Sequence, residues 1–365
     1  MQRLNVLMKV SESCNLRCSY CYEGDKSKQV MDLETLTNSI KILQTTGDAQ
    51  EVSYIWHGAE PLTAKLEFYR KAVELQKRFG ASVKVSNGMQ TNGVLLTPES
   101  ADFFTKERFG LGFSLDGPKR LHDLTRPYRS GKSSFDATMK AIGMMRERGK
   151  SPGVIAVITK KNFPFLDEIY DFFKEEGLNF KINLMIKCGH ANDQFDDLSL
   201  SDTERAQATC HLFDRWFYDQ KQGHTIHYGN MDSLVSAFFT KGGSSCNMVE
   251  SCQDSFLSIG TDGTLYPCSR FSGPDVSYGN INKNTDFQEI QEHPLRVELA
   301  SRYEKNDECN QCDYNFLCHS GCMHGAYLEG DIMGKDPSCA SNKRVYEHIA
   351  RKVIQQLDKD RAINE

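Results

Sequence analysis

Two periods of apolar and polar residues alternate along the first 220 positions of the chain. Segments 4–10, 52–56, 83–86, 111–114, 154–158 and 180–186 are short, bounded by turn residues and rich in Val, Ile, Leu and Phe, which predicts β-strands. Between and after them, segments 33–43, 65–79, 98–106, 134–148, 164–176 and 202–221 repeat apolar positions every three to four residues, as amphipathic helices do. Six strands, each followed by a helix, imply an α/β fold with a parallel sheet and right-handed crossovers, either curled into a partial barrel or open and doubly wound. In both arrangements chemistry sits at the C-terminal ends of the strands. From about position 228 to 340 the periodicity fades into a Gly-, Asn-, Asp- and Cys-rich stretch, before a charged amphipathic helix over 343–359. The expected units are therefore residues 1–227, 228–341 and 342–365.

Composition narrows the function. A chain of 365 residues with 39% apolar and 25% charged residues has a sizeable core and is not a disordered segment. Its net charge of −5 gives no electrostatic footprint for nucleic acid or an anionic membrane. No stretch approaches the apolar length of a signal or a membrane span, so a cytoplasmic location is expected. The 13 cysteines do not suit that compartment, where structural disulfides are rare and many thiols signal metal or catalysis.

Their spacing divides them. Cys14, Cys18 and Cys21 lie within eight residues just past the first strand. Three thiolates there can hold three corners of a [4Fe-4S] cube, leaving one iron open to a chelating substrate; a zinc knuckle is the alternative on these three alone. Eight more follow as Cys246, Cys252 and Cys268, then Cys309, Cys312, Cys318, Cys322 and Cys339. Eight thiols saturate two four-iron clusters, or two zinc sites. Cys188 and Cys210 fit neither set.

The Cys-x3-Cys-x2-Cys segment, with Tyr20 before its last cysteine, resembles the cluster motif of the radical S-adenosylmethionine (SAM) superfamily. Trp56-His57-Gly58-Ala59-Glu60-Pro61 resembles that superfamily's Gly-Gly-Glu-Pro segment, with Ala59 replacing the second Gly. Met89-Gln90-Thr91-Asn92-Gly93 and Ser114-Leu115-Asp116-Gly117-Pro118 follow the third and fourth strands, as in the peptide-modifying branch. The late cysteines, with Gly263 ahead of Cys268, resemble the SPASM domain. The resemblance implies a partial (β/α)6 barrel followed by a cysteine-rich SPASM domain that binds two iron-sulfur clusters. With the cluster of the early loop it implies three [4Fe-4S] clusters in all.

Further expectations follow from the resemblance. Cys14, Cys18 and Cys21 would hold the cluster that SAM chelates, which one electron cleaves to a 5′-deoxyadenosyl radical. Cys246, Cys252, Cys268 and Cys322 would hold the first auxiliary cluster, and Cys309, Cys312, Cys318 and Cys339 the second. SAM contacts fall to Tyr20, Gly58, Ala59, Glu60, Gln90, Asn92, Ser114, Arg126 and Val157, with helix capping an equal reading for Gln90 and Asn92, and core packing for Val157. Asp116 is expected to shape its turn.

The resemblance is to anaerobic sulfatase-maturating enzymes and ribosomal-peptide maturases. The former carry an Asp base directly after the third cysteine of the first auxiliary set, where this chain has Ser269 followed by Arg270. An unactivated Ser hydroxyl is a poor general base. The sequence reading therefore puts an oxidative cross-link in a ribosomally made peptide first and oxidation of peptidyl Cys or Ser to formylglycine second. A non-catalytic zinc or electron-transfer protein is the third reading. Ser269, Arg270 and Cys188 are the catalytic candidates, and Tyr22 and His57 candidate substrate contacts. Expected partners are a peptide or protein substrate and a reductant such as ferredoxin or flavodoxin. With the chain starting at the barrel, a separate leader-peptide-binding protein is a further expected partner. The clusters imply an oxygen-sensitive enzyme.

Overall fold

The computed structural model describes residues 3–24, 27–240 and 245–364. Six parallel strands, β1 (Arg3–Ser11), β2 (Glu51–Gly58), β3 (Lys84–Thr91), β4 (Gly110–Ser114), β5 (Gly153–Ile158) and β6 (Asn179–Leu184), lie side by side in chain order. A doubly wound sheet reverses its order about the first strand; this one does not, and it is the wall of a partial barrel. Helices α1 (Leu33–Thr45), α2 (Lys65–Phe79), α3 (Pro98–Lys106), α4 (Lys119–Thr125), α5 (Phe135–Arg146) and α6 (Leu166–Glu175) fill the crossovers. Two of them have capped starts: Asp32 accepts the Thr35 N–H at 2.7 Å before α1, and Thr97 and Ser100 close a capping box at α3.

Alternation along the strands separates two faces. On β1, Leu4, Val6, Met8 and Val10 are buried against the helices, and on β2 Tyr54 and Trp56 do the same, Trp56 meeting Phe68 and Tyr69 edge-on. Residues one step out of phase, among them Lys9 and His57, which pair in register, turn to the other face.

Strand β7 (Phe256–Ile259) pairs in parallel with β1 and carries the antiparallel β8 (Leu265–Tyr266), so the sheet runs on past the boundary expected at 227/228. The stretch read as lacking periodicity contains a helix, Gly229–Thr240. Its apolar stripe of Met231, Leu234, Val235 and Phe238, at i, i+3, i+4 and i+7, packs against the core and was legible, but the Gly- and Cys-rich surroundings masked it. The closing helix, Cys339–Asn364, packs on the helix Asp202–Lys221, where His348 Nε2 and Asp214 Oδ1 are 2.8 Å apart. Strand β3 extends beyond the expected 83–86 because its parallel neighbours continue the ladder through Gly88 and Gln90. Among the described residues no helix is long and apolar enough to cross a membrane.

Candidate active site

The loop after β1 is clamped from two sides. Ala59 N–H donates to Ser11 O at 2.9 Å and Glu60 N–H to Ser13 O at 3.0 Å, while Arg17 and Ser19 N–H groups donate to Pro127 O and Thr125 O at 2.9 Å each. Gly58 makes the first clamp possible: its φ is +114°, and a Cβ there would stand 2.5 Å from Ser11 O. On this loop Cys14 is buried and Cys18 and Cys21 half-buried. Burial pushes the Cys18 thiol up to about 12, against the lowering pull of Arg126 and with Cys21 and Cys14 adding to the rise. Converging thiols in a desolvated place are held at a cost that a shared metal centre relieves.

The residues around the loop divide into ligand-facing and scaffold groups. Glu60 is buried, and its carboxylate accepts from Thr91 Oγ1 (2.6 Å), Leu62 N–H (3.0 Å) and Asn92 N–H (2.8 Å). It ties the β2 and β3 loops together. Asn92 caps its own turn by accepting the Val94 N–H and donates to Asn15 Oδ1 at 2.8 Å. Gln90 donates to Ser114 Oγ at 3.0 Å. Asp116 shapes its turn, accepting from Tyr20 (2.6 Å), Thr125 (2.6 Å) and Val157 N–H (3.0 Å). Arg126 donates through Nη1 to the Tyr20 hydroxyl, yet its buried Nε–H has no partner, and neither has Asn15 Nδ2. Unsatisfied donors beside three thiols fit an anionic, chelating ligand such as the SAM carboxylate. Val157 packs with Tyr20, Met185 and Cys18 in a small apolar cluster.

The late cysteines gather in two groups. Cys246, Cys252, Cys268 and Cys322 come together: burial pushes Cys252 up to about 12 and Cys268 up to about 11, and the neighbouring thiols of the group add to both rises. Cys246 keeps an exposed face, although the surrounding protein still pushes its thiol up. Arg270 Nη1 donates to Cys322 Sγ at 3.3 Å, and Cys322 N–H is held by Asp336 at 2.9 Å. Cys309, Cys312, Cys318 and Cys339 line one small cavity with Tyr314, Tyr346, Lys335 and Lys343. Among the described residues no three such side chains are placed to hold a single metal ion. Four thiols about a shared cavity suit the donor set of an iron-sulfur cluster.

Between the early loop and the first late group lies a small polar site. Lys9 projects from β1 and His57 from β2; Tyr22 and Glu23 follow Cys21, Cys188 follows β6, and Ser269 and Arg270 follow Cys268. The Tyr22 hydroxyl is 3.0 Å from His57 Nδ1, which also accepts the Gly58 N–H at 2.8 Å. Burial and then the Glu23 carboxylate push the Tyr22 phenol well up, while a hydrogen bond with Ser269 opposes the rise. Burial lowers the His57 pKa and keeps its ring neutral. The Cys188 thiol donates to Arg270 O at 3.4 Å and is itself raised by burial. Gly189, at φ +54°, lets this loop lie against the cysteine loop, since a Cβ would stand 2.2 Å from Tyr22 O. Ala191 N–H then donates to Cys21 O at 2.9 Å. Cys210 lies apart from all three groups, on the helix Asp202–Lys221. Sequence reasoning missed Lys9 and Glu23; a lysine inside an apolar strand, on its inward phase, was the available signal.

Comparison with known proteins agrees with this geometry. The model of the radical SAM superfamily matches residues 8–174, and that of the SPASM iron-sulfur cluster-binding domain matches residues 246–313. The cysteine-type anaerobic sulfatase-maturating enzyme of Clostridium perfringens (strain 13 / Type A) is 27% identical over 97% of this chain and 98% of its own. The serine-type enzyme of Bacteroides thetaiotaomicron is 28% identical over 95% and 89%. The solved structure of anSMEcpe with bound AdoMet and the Cp18Cys peptide superposes with a TM-score of 0.85 at 26% identity, covering 98% of this chain and 99% of that one. SuiB of Streptococcus suis, solved with its precursor peptide SuiA, shares the fold at 17% identity and a TM-score of 0.69, over 93% and 76%.

Proposed function

Because this chain is a radical SAM enzyme with a C-terminal SPASM domain, we propose that it oxidises the side chain of a Cys or Ser residue in a peptide or protein substrate. The groups that its eleven clustered cysteines would hold supply a hydrogen-abstracting radical at the early loop and an electron acceptor at the late sets. SAM and iron-sulfur clusters belong to the inventory; the number of three clusters and an external one-electron reductant are expected from the resemblance.

One observation carries the reading. The early loop and the first late group face a single site, joined by Tyr22 to Ser269 and by Cys188 to Arg270 to Cys322. A residue inserted there is close to both. The chain's own residues position rather than react: Arg126 and Asn15 offer free donors to SAM, Glu60 holds the loop that bears Asn92, and Gly189 lets the loop after β6 lie against the cysteine loop. Cross-linking came first from sequence; relatives matched from end to end favour the sulfatase-maturase type of oxidation. Ser269, where those relatives are expected to carry Asp, is the observation that favours cross-linking.

Mass spectrometry of a peptide with one Cys, incubated with anaerobically reconstituted enzyme, SAM and a strong reductant, tests the proposal. An aldehyde at that residue supports it. A two-hydrogen loss that joins two residues, with no aldehyde, overturns it in favour of a cross-link.

A further inference from the structure

Glu23 stands at the mouth of the site with half of its carboxylate engaged. Oε2 accepts from Lys9 Nζ at 3.0 Å, the two side chains being 14% and 20% exposed. Oε1 is buried and has no partner. Among the described residues the Cys188 thiol is engaged with Arg270 O and Arg270 Nη1 with Cys322 Sγ, while the Tyr22 hydroxyl is shared between His57 and the Glu23 carboxylate and still leaves Oε1 without a hydrogen bond. A buried carboxylate oxygen without a donor is unfavourable, and a ligand that brings an S–H or O–H to Oε1 relieves that cost.

We infer that Glu23 Oε1 is the acceptor that receives the S–H or O–H of the target residue, making Glu23 a substrate-binding and specificity-determining residue. The inference rests on the function proposed above and deepens it. Position 269, where the resemblance expects a carboxylate, carries a Ser; the chain places a carboxylate in the same small site from the cysteine loop instead. Lys9 fixes its direction by holding the other oxygen. Cys188 and Tyr22 line the approach, and the neutral His57 ring adds no competing charge. An acceptor of this kind selects a side chain with a proton to donate over one that presents only carbon.

The test is anaerobic binding of three synthetic peptides, identical except for Cys, Ser or Ala at one position, to the iron-loaded enzyme with SAM and no reductant. A hydrogen bond to a charged acceptor predicts that the wild type binds the Cys and Ser peptides about tenfold more tightly than the Ala peptide. Glu23→Gln is expected to abolish that preference while keeping its iron content. Glu23→Asp, which keeps the charge but withdraws the oxygen, is expected to lose it too and serves if the Gln variant does not load iron. A wild type that binds all three peptides equally overturns this inference alone; the proposed function falls only if the Cys peptide is not converted to an aldehyde. A preference that survives in the variants overturns the inference alone, and conversion of the Cys peptide to an aldehyde by the wild type then keeps the function standing.

Discussion

Arg270 is the charge nearest the first late group of cysteines, and removing it has a calculable effect. Its Nη1 lies 3.3 Å from Cys322 Sγ, and its charge is also felt by Cys268 and Cys246. Two unit charges at that separation interact by about 5 kcal/mol at an effective dielectric constant of about 20. Spreading an added electron over a whole cluster reduces this to about half, or roughly 2.5 kcal/mol. For a one-electron couple that is about 110 mV. Arg270→Met keeps much of the volume and removes the charge, so the potential of the cluster on Cys246, Cys252, Cys268 and Cys322 is expected to fall by about 100 mV. The group on Cys309, Cys312, Cys318 and Cys339 is expected to hold its potential. An anaerobic redox titration followed by electron paramagnetic resonance separates the two. A shift of the first set below about 20 mV, or an equal shift in both, refutes the argument.

Three further outcomes follow from the same contacts. Glu60→Gln keeps one acceptor oxygen and sets an NH2 against either the Asn92 N–H or the Thr91 hydroxyl and Leu62 N–H, and is expected to lower stability by about 3 kcal/mol in urea unfolding; an unchanged midpoint would show that the loop holds without it. Gly58→Ala forces a Cβ to 2.5 Å from Ser11 O at φ +114° and is expected to cost about 3 kcal/mol and reduce iron loading at the early loop, measured by iron content per chain. His122 is fully buried between Asp116 N–H and Ser134, and burial with Arg126 nearby lowers its pKa to about 3. Its folded pKa lies below the unfolded value near 6.5, so its contribution is complete above pH 6.5 and is lost as pH falls toward 3, about 2 kcal/mol by pH 5. His122→Gln is expected to flatten the stability profile between pH 7 and 5 by that amount, and a profile parallel to the wild type would exclude this histidine as its source.

Strong periodicity was legible where one face of an element is buried. The helices Lys65–Phe79, Pro98–Lys106 and Asp202–Lys221 occur over the residues that pattern and capping indicate. Strand β3 was shortened because Gly, Asn and Gln in a ladder carry little local signal, and the helix Gly229–Thr240 was missed although Met231, Leu234, Val235 and Phe238 give it a helical period. Resemblance assigned Glu60 to a ligand, whereas its carboxylate is bonded to Thr91, Leu62 and Asn92. A motif names a residue type and spacing but not which partner reaches it first.

From sequence, the alternation of six strands with helices determined a parallel α/β sheet and the cysteine spacing pointed to thiolate-bound metal, while the choice of a partial barrel and of iron-sulfur over zinc came from the motif resemblance. Those properties depend on neighbours a few residues apart along the chain, where spacing is geometry. Only the tertiary structure decided that β7 joins the sheet beside β1, and that residues 9, 22, 23, 57, 188, 269 and 270 share one small site. Contacts between segments up to 250 positions apart come from strand order and loop packing, which residue spacing along the chain does not encode. The unpartnered oxygen of Glu23 exists only once those segments have met.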